Sequence, residues 1–359
     1  MAEYKKSGAT RAPINVHREE VTMRQPYFCL HPSAFIIRFA LALAMVLSST
    51  AVVAQAYPAK PVRIMVGYSP GGGVDTTARI VGAALANSWH GTVIVENRPG
   101  ASGNIATEYT AKAAPDGYTL VLCNIGSHGV TPARFRKTLK YDPVRDFAFV
   151  AKIGGVPNVF MVHPSMPMKT LGEYIRYAKA HPGKLNFGSS GVGGSPHLSI
   201  QLFITMTGIN IVHIPYKGAA AALTDVMSGH VESSVGNLAG GPLGAIKAGR
   251  VRALAVTSAK RNAQVPDVPT FAESGVPGYD VTGWYGLCTQ AKVPQAVQTK
   301  INTDLNTLLS KGAPLRKRLE AQGITVTPGT QEAFAAHVKS EIARWTKVVQ
   351  EAKLEATKR

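Results

Sequence analysis

The chain predicts an α/β fold built on parallel sheets, and three observations carry the prediction. Short β-branched runs alternate with helix-patterned stretches. Strands pass into helices through turns of glycine and small residues, as in GYSPGGGVDTTAR from Gly67 to Arg79. Beyond residue 56 roughly 300 residues remain, too many for one small core and comfortable for two domains.

The first 56 residues read differently. Phe39–Leu47, FALALAMVL, is an apolar core preceded by Arg24 and Arg38 and followed by Ala54-Gln55-Ala56. A basic start, a short apolar segment and a small-x-small site predict a secretory signal peptide cleaved after Ala56. The core is well short of the roughly 20 residues that span a bilayer, which argues against an anchor. Residues 1–22 read as an extension upstream of a start at Met23.

Strands are expected at Val62–Val66, Val93–Val95, Leu120–Leu122, Val159–Val162, Ile211–Ile214 and Ala253–Val256. Helices are expected at Asp75–Ser88, Gly103–Ala113, Leu171–Ala180, Pro196–Met206, Ala219–Met227 and Leu238–Ala248. The tail from Pro294 to Ala356 is helical in pattern with a break at Gly323–Gly329. No flexible linker separates domains, so ordered crossing strands are the expected connection. A cleft between two such domains is a favoured place for a small ligand.

Lys and Arg number 39 against 21 Asp and Glu, a net charge of +18, which favours anionic partners. Nucleic acid is not one of them on this sequence. The basic residues are scattered, and helix-turn-helix, zinc-finger and RNA-binding aromatic patterns are missing. Cys123 and Cys288 each end an apolar strand-like run and read as buried small hydrophobes; an oxidising compartment would permit a bridge between them.

Glycine-rich strand-to-helix turns hold anions, because unpaired N–H groups and the positive end of the helix dipole face the ligand. A second such turn follows Asn186-Phe187-Gly188, with Ser195 as a candidate N-cap and Pro196 at the first helical position. Two helix N-termini, one from each half of the chain, can hold the carboxylates of one ligand. Asn124 and Ser127 follow one strand and Asn237 another, at the carboxyl ends where α/β sheets bind ligands. Enzyme readings fare worse. The first loop lacks the lysine of a phosphate-binding P-loop, and neither a dinucleotide fingerprint nor a nucleophile elbow is present. Ser195 and His197, two residues apart on a helix start, would not face each other as a hydrolase pair. The acidic residues are dispersed and the histidines lack metal-ligand spacing. No cofactor is expected.

Six blocks, Tyr57-Pro58-x-Lys60-Pro61, Pro70-Gly71-Gly72-x-x-Asp75, Glu96-Asn97-Arg98-Pro99-Gly100-Ala101, Pro115-Asp116-Gly117-Tyr118, Pro215-Tyr216-Lys217-Gly218 and Leu254-Ala255-Val256-Thr257, together resemble the Bug-type solute receptors of tripartite tricarboxylate transporters. The resemblance implies a type II periplasmic binding protein fold: two α/β domains joined by two crossing strands, with a ligand cleft between them. It implies 57–158 with 283–359 as one discontinuous domain and 159–282 as the other. The crossing strands are expected at Val159–His163 and Trp284–Cys288. Ligand contacts are implied for Tyr68, Ser69, Pro70, Gly71, Gly72 and Asp75 on one wall. Ser189, Ser190, Gly191, Ser195 and His197 are implied near the other, with Asn124, Ser127 and Asn237 reaching the cleft. Asp75 is a candidate to orient waters or meet a ligand amino group.

The function so implied is that of a monomeric, exported periplasmic binding protein, not an enzyme. It captures a small carboxylate (dicarboxylate, tricarboxylate, amino acid or aromatic acid) by hinge closure and delivers it to integral membrane transporter subunits. Two alternatives stand beside it: a subunit presenting the same ligand to a membrane sensor, and a secreted hydrolase using Ser195 or His197.

Overall fold

The run VRIMV becomes β1 (Val62–Val66), apolar at four of five positions, and it is buried except at Arg63. Such a strand needs cover on both faces. The computed structural model describes residues 57–135 and 139–351; the signal peptide expected at 1–56 lies outside them.

From β1 the chain enters α1 (Gly73–Trp89) and returns to β2 (Val93–Asn97), parallel to β1. A short helical turn at Ala101–Gly103 leads into α2 (Asn104–Ala111), then β3 (Thr119–Asn124), which lies parallel on the other side of β1. A π-helical turn, Gly126–Val130, and α3 (Thr131–Phe135) follow; neither is expected from the sequence pattern. Next comes β4 (Phe147–Val162), three times as long as β1. After α4 (Leu171–Ala180), β5 (Asn186–Ser189), α5 (Ser195–Thr207), β6 (Val212–Pro215), α6 (Ala219–Met227) and β7 (Ser233–Asn237) form a second parallel set. Then come α7 (Gly241–Lys247), β8 (Arg252–Val256) and β9 (Thr282–Gln290). The helical tail is α8 (Gln295–Leu308), α9 (Pro314–Glu320) and α10 (Gln331–Glu351), and the break expected in it holds β10 (Thr325–Val326).

Two sheets share β4. Phe147–Pro157 pairs with β9, whose other edge pairs with β3, giving the order β2-β1-β3-β9-β4. From Asn158 to Val162 the same strand pairs with β7, while Val159–Val162 also pairs with β8. The change of partner falls at Pro157, which has no N–H to give to either ladder. The strand expected at Val159–Val162 is thus only the end of a much longer one, and His163 lies just past it. The second passage differs from expectation. β9 starts opposite Pro157 and stays in the first sheet, so Trp284–Cys288 does not cross. The return is made just before it, where Thr257 accepts from the N–H of Val281 through its carbonyl and bonds both N–H and side chain to Asn158.

Cys123 and Cys288 are joined by a disulfide between β3 and β9, with Cα atoms 5.8 Å apart. The bridge that the sequence left open is therefore made. Both are wholly buried, and the pairing of the two strands, hidden from sequence, is what brings them together.

Candidate functional site

The loop between β1 and α1 is braced from behind. Gly71, at φ 86°, donates its N–H to Asp75 Oδ2 at 3.0 Å, a backbone turn that favours glycine. Arg79 Nε reaches the same oxygen at 3.0 Å, and Asn97 Nδ2 gives Oδ1 a 2.9 Å bond. Burial pushes the Asp75 pKa up, yet hydrogen bonds from Arg79, Gly71 and Asn97 and the Arg79 charge outweigh it, and the net direction is downward. Asp75 thus fastens the loop; both its oxygens are engaged, and it does not line the cavity in front.

The loop between β5 and α5 is braced by histidines. Ser189 Oγ lies 2.6 Å from His213 Nε2 and receives the N–H of Gly191 at 3.2 Å. His197 Nδ1 accepts from Gly193 N–H at 3.2 Å and sits 3.4 Å from an Arg134 nitrogen. The rings of His197 and His213 are 4.1 Å apart between centroids. Burial, the neighbouring ring and the Arg134 charge push His197 down to about 2; burial and Arg134 push His213 down to about 4. Both rings are neutral near pH 7.

A depressed histidine lowers stability in acid because the unfolded chain takes up the proton while the folded ring stays neutral. The loss begins below the unfolded value near 6.5 and grows as pH falls toward the folded value. The thermal midpoint is therefore expected to drop on acidification from pH 7.5 to 5.0, with His213 alone accounting for roughly 1–2 kcal/mol. In His213→Gln the slope is expected to be shallower. Parallel curves for the two proteins would remove His213 from this account.

Between the two loops lies a narrow cavity of about 20 Å³, room for about one water. The jaws are drawn together. Of the residues expected on its walls, the cavity brings together Tyr68, Gly72, Asn124, Ser190, Ser195 and Asn237. Gly191 lines a wider chamber of about 320 Å³ at the mouth, which shares Tyr68 and Ser190 with the cavity. Ser69, Pro70, Gly71, Asp75, Ser127, Ser189 and His197 are not on the cavity wall. Ser127 donates its N–H to Asn124 Oδ1 and places its hydroxyl 2.9 Å from His128 Nδ1.

The wall also carries residues that sequence reasoning missed. Tyr285, in β9, is 1% exposed, and its hydroxyl has no protein partner. Ala219 opens α6, so the first turns of α1, α5 and α6 all face this space. The signal for α6 was Pro215-Tyr216-Lys217-Gly218, a third strand-glycine-helix turn. Asn158, wholly buried at the strand crossing, accepts from Asn237 Nδ2 at 2.8 Å and donates to Ser195 Oγ at 3.2 Å. That bond occupies a Ser195 lone pair and leaves its O–H free to point into the cavity. Within Asn124, Oδ1 takes the N–H of Gly126 at 2.8 Å, and the amide nitrogen is 3.5 Å from the Leu122 carbonyl.

No side chain on the cavity wall is charged. The positive potential comes from three helix N-termini, each equivalent to about half an elementary charge, and from N–H groups that no helix carbonyl can satisfy. Such an arrangement is suited to an anion held by neutral donors. Ser195 and His197 are not hydrogen-bonded to each other: Ser195 Oγ accepts from Asn158, while His197 Nδ1 meets the Gly193 N–H and Arg134. Among the described residues no group of three or more His, Cys, Asp or Glu is placed to hold a metal. No described helix is long and apolar enough to cross a membrane.

Residues 77–354 match the family described as the tripartite tricarboxylate transporter family receptor. The chain belongs to this receptor family. The receptor is 34% identical over 298 residues to protein BugT of Bordetella pertussis, covering 83% of this chain and 91% of BugT. Among solved structures it is similar to Rpa4515 of R. palustris with adipate, at TM-score 0.79 and 36% identity over 83% of this chain and 98% of that one. It is also similar to MatC from Rhodopseudomonas palustris with bound malate, at TM-score 0.77 and 31% identity over 82% of this chain and all of MatC. The fold is that of a two-domain α/β binding protein, and the receptor's relatives are binding proteins rather than enzymes.

Proposed function

We propose that the receptor captures a small carboxylate in the cavity between its two glycine-rich loops and delivers it to the membrane subunits of a tripartite tricarboxylate-type transporter. The observation that carries this reading is the convergence of three helix N-termini on a wall without a cationic side chain. Adipate in one relative and malate in another support a carboxylate class. The head group meets the N–H groups of Gly72, at the N-cap of α1, and of Ser195, which opens α5, the hydroxyls of Ser190, Ser195 and Tyr285, and the amides of Asn124 and Asn237. Tyr68 and Gly191 bound the chamber that takes the rest of the ligand. Ser69, Pro70, Gly71, Asp75, Ser127, Ser189 and His197 serve by shaping the loops.

Residues 57–158 with 283–359 form one lobe and 159–282 the other, and they rotate about Pro157–Asn158 and Val281–Thr282. The change of pairing partner in β4 and the start of β9 at that level support this hinge. The receptor works as a monomer in the periplasm, exported with a cleaved signal peptide. The surplus of positive charge speeds the approach of anions.

Mass spectrometry of the acid that co-purifies with the receptor, followed by titration calorimetry with that acid, malate and adipate, tests the reading. Tyr285→Phe is expected to weaken binding roughly three- to tenfold, the worth of one neutral hydrogen bond. The absence of binding to any mono-, di- or tricarboxylate at millimolar concentration would reject it.

A further inference from the structure

The segment Gly100-Ala101-Ser102-Gly103 joins β2 to α2, outside both anion-binding loops, and it is strained. Ala101 at φ 47° and Ser102 at φ 56°, ψ 34° both lie in the left-handed region without being glycine. Strain of this kind persists only where surrounding contacts over-determine it. Here the Tyr68 hydroxyl donates to the Ser102 carbonyl at 2.8 Å, and the Gly103 N–H donates to the carbonyl of Gly100. The conformation aims the Ser102 side chain across the mouth chamber. Its hydroxyl donates to the carbonyl of Val192, in the opposite jaw, at 2.6 Å. Gly191, beside Val192, sits at φ 125°, a conformation that favours glycine, and a Cβ there would come within 3.2 Å of the Tyr216 carbonyl.

A second hydroxyl repeats the pattern at the other end of the chamber. Ser69 Oγ donates to the carbonyl of Lys217 at 3.2 Å. Ser69 precedes the glycines of the first loop and Lys217 precedes α6, so this bond also joins the two jaws.

We propose that Ser102 and Ser69 are a two-point latch that holds the cleft shut and sets how long a bound solute stays. This rests on the binding reading above, but the latch bonds are made between protein groups alone. Breaking them leaves the cavity wall intact and shifts the balance of open and closed forms.

The test uses the receptor with malate and adipate as probes and spin labels placed on exposed positions of the two lobes. Ser102→Ala is expected to raise the dissociation rate of a bound probe about three- to tenfold, the fold-change worth one hydrogen bond, with no fall in the association rate. The interlobe distance distribution without probe is expected to move toward longer distances, and further in the Ser69→Ala/Ser102→Ala pair. Ser102→Gly separates latch from scaffold, since it relieves the left-handed strain while removing the hydroxyl. It is expected to speed dissociation like Ser102→Ala while keeping or raising the thermal midpoint. Unchanged dissociation and unchanged distances in the double variant would overturn the latch. So would a Ser102→Gly midpoint that falls in step with the kinetics. If neither probe binds, the distance distribution alone decides the latch, and the carboxylate reading fails separately.

Discussion

Gly73→Ala is expected to weaken solute binding about ten- to a hundredfold without lowering the thermal midpoint. A methyl group at this position would lie 3.0 Å from Ala239 Cβ and 3.2 Å from Asn237 Cβ, both in the opposite jaw, and 3.0 Å from the Tyr285 hydroxyl. The first two contacts exist only when the cleft is shut, so the methyl acts as a wedge. Overpacking of this kind costs about 1–3 kcal/mol, and the share set against Ala239 and Asn237 falls on the closed form. The helix itself gains, because alanine is better than glycine in a helix by roughly 0.5–1 kcal/mol. Calorimetry and a thermal melt on one sample suffice. Affinity within a factor of two of the parent would show that the jaws need not approach as closely as they do here.

Loss of the disulfide is expected to have the largest effect on stability. Cys123 and Cys288 are 165 residues apart in sequence, so the bond removes much freedom from the unfolded chain. Cys123→Ala/Cys288→Ala, or reduction of the parent, is expected to lower the unfolding free energy by about 2–5 kcal/mol. Urea unfolding with and without reductant measures it, and an unchanged midpoint would contradict it. The bond also flanks the site, since Asn124 and Tyr285 are directly paired on the same two strands. Reduction is therefore expected to weaken binding as well.

Much of this architecture is legible from the residues, and its gaps have physical causes. Strands such as Val62–Val66 and helices such as Leu171–Ala180 stand out by pattern, the latter helped by the Thr170–Glu173 capping box. The site is half legible for a related reason. A strand-glycine-helix turn marks a helix end suited to anions, so the loops at Gly71-Gly72 and Ser189–His197, between which the cavity lies, can be picked out from sequence as candidates. Which of their residues face the ligand depends on loop conformation, and Asp75, Ser189 and His197 turn inward to brace their own loops. Tyr285, Asn158 and the disulfide stayed hidden because each owes its role to strands distant in sequence. The extent of β4 was missed because Gly154, Gly155 and Pro157 interrupt its apolar pattern just where it changes sheets.

The uncharged cavity wall has an evolutionary consequence. On the proposed reading its grip comes largely from main-chain N–H groups, which substitution cannot delete except by proline. Side chains such as Val74, Ile125 and Ala219, which also line the space, are then free to drift under selection for a different acid. A lineage built on this site can change diet by small steps without passing through a form that binds nothing.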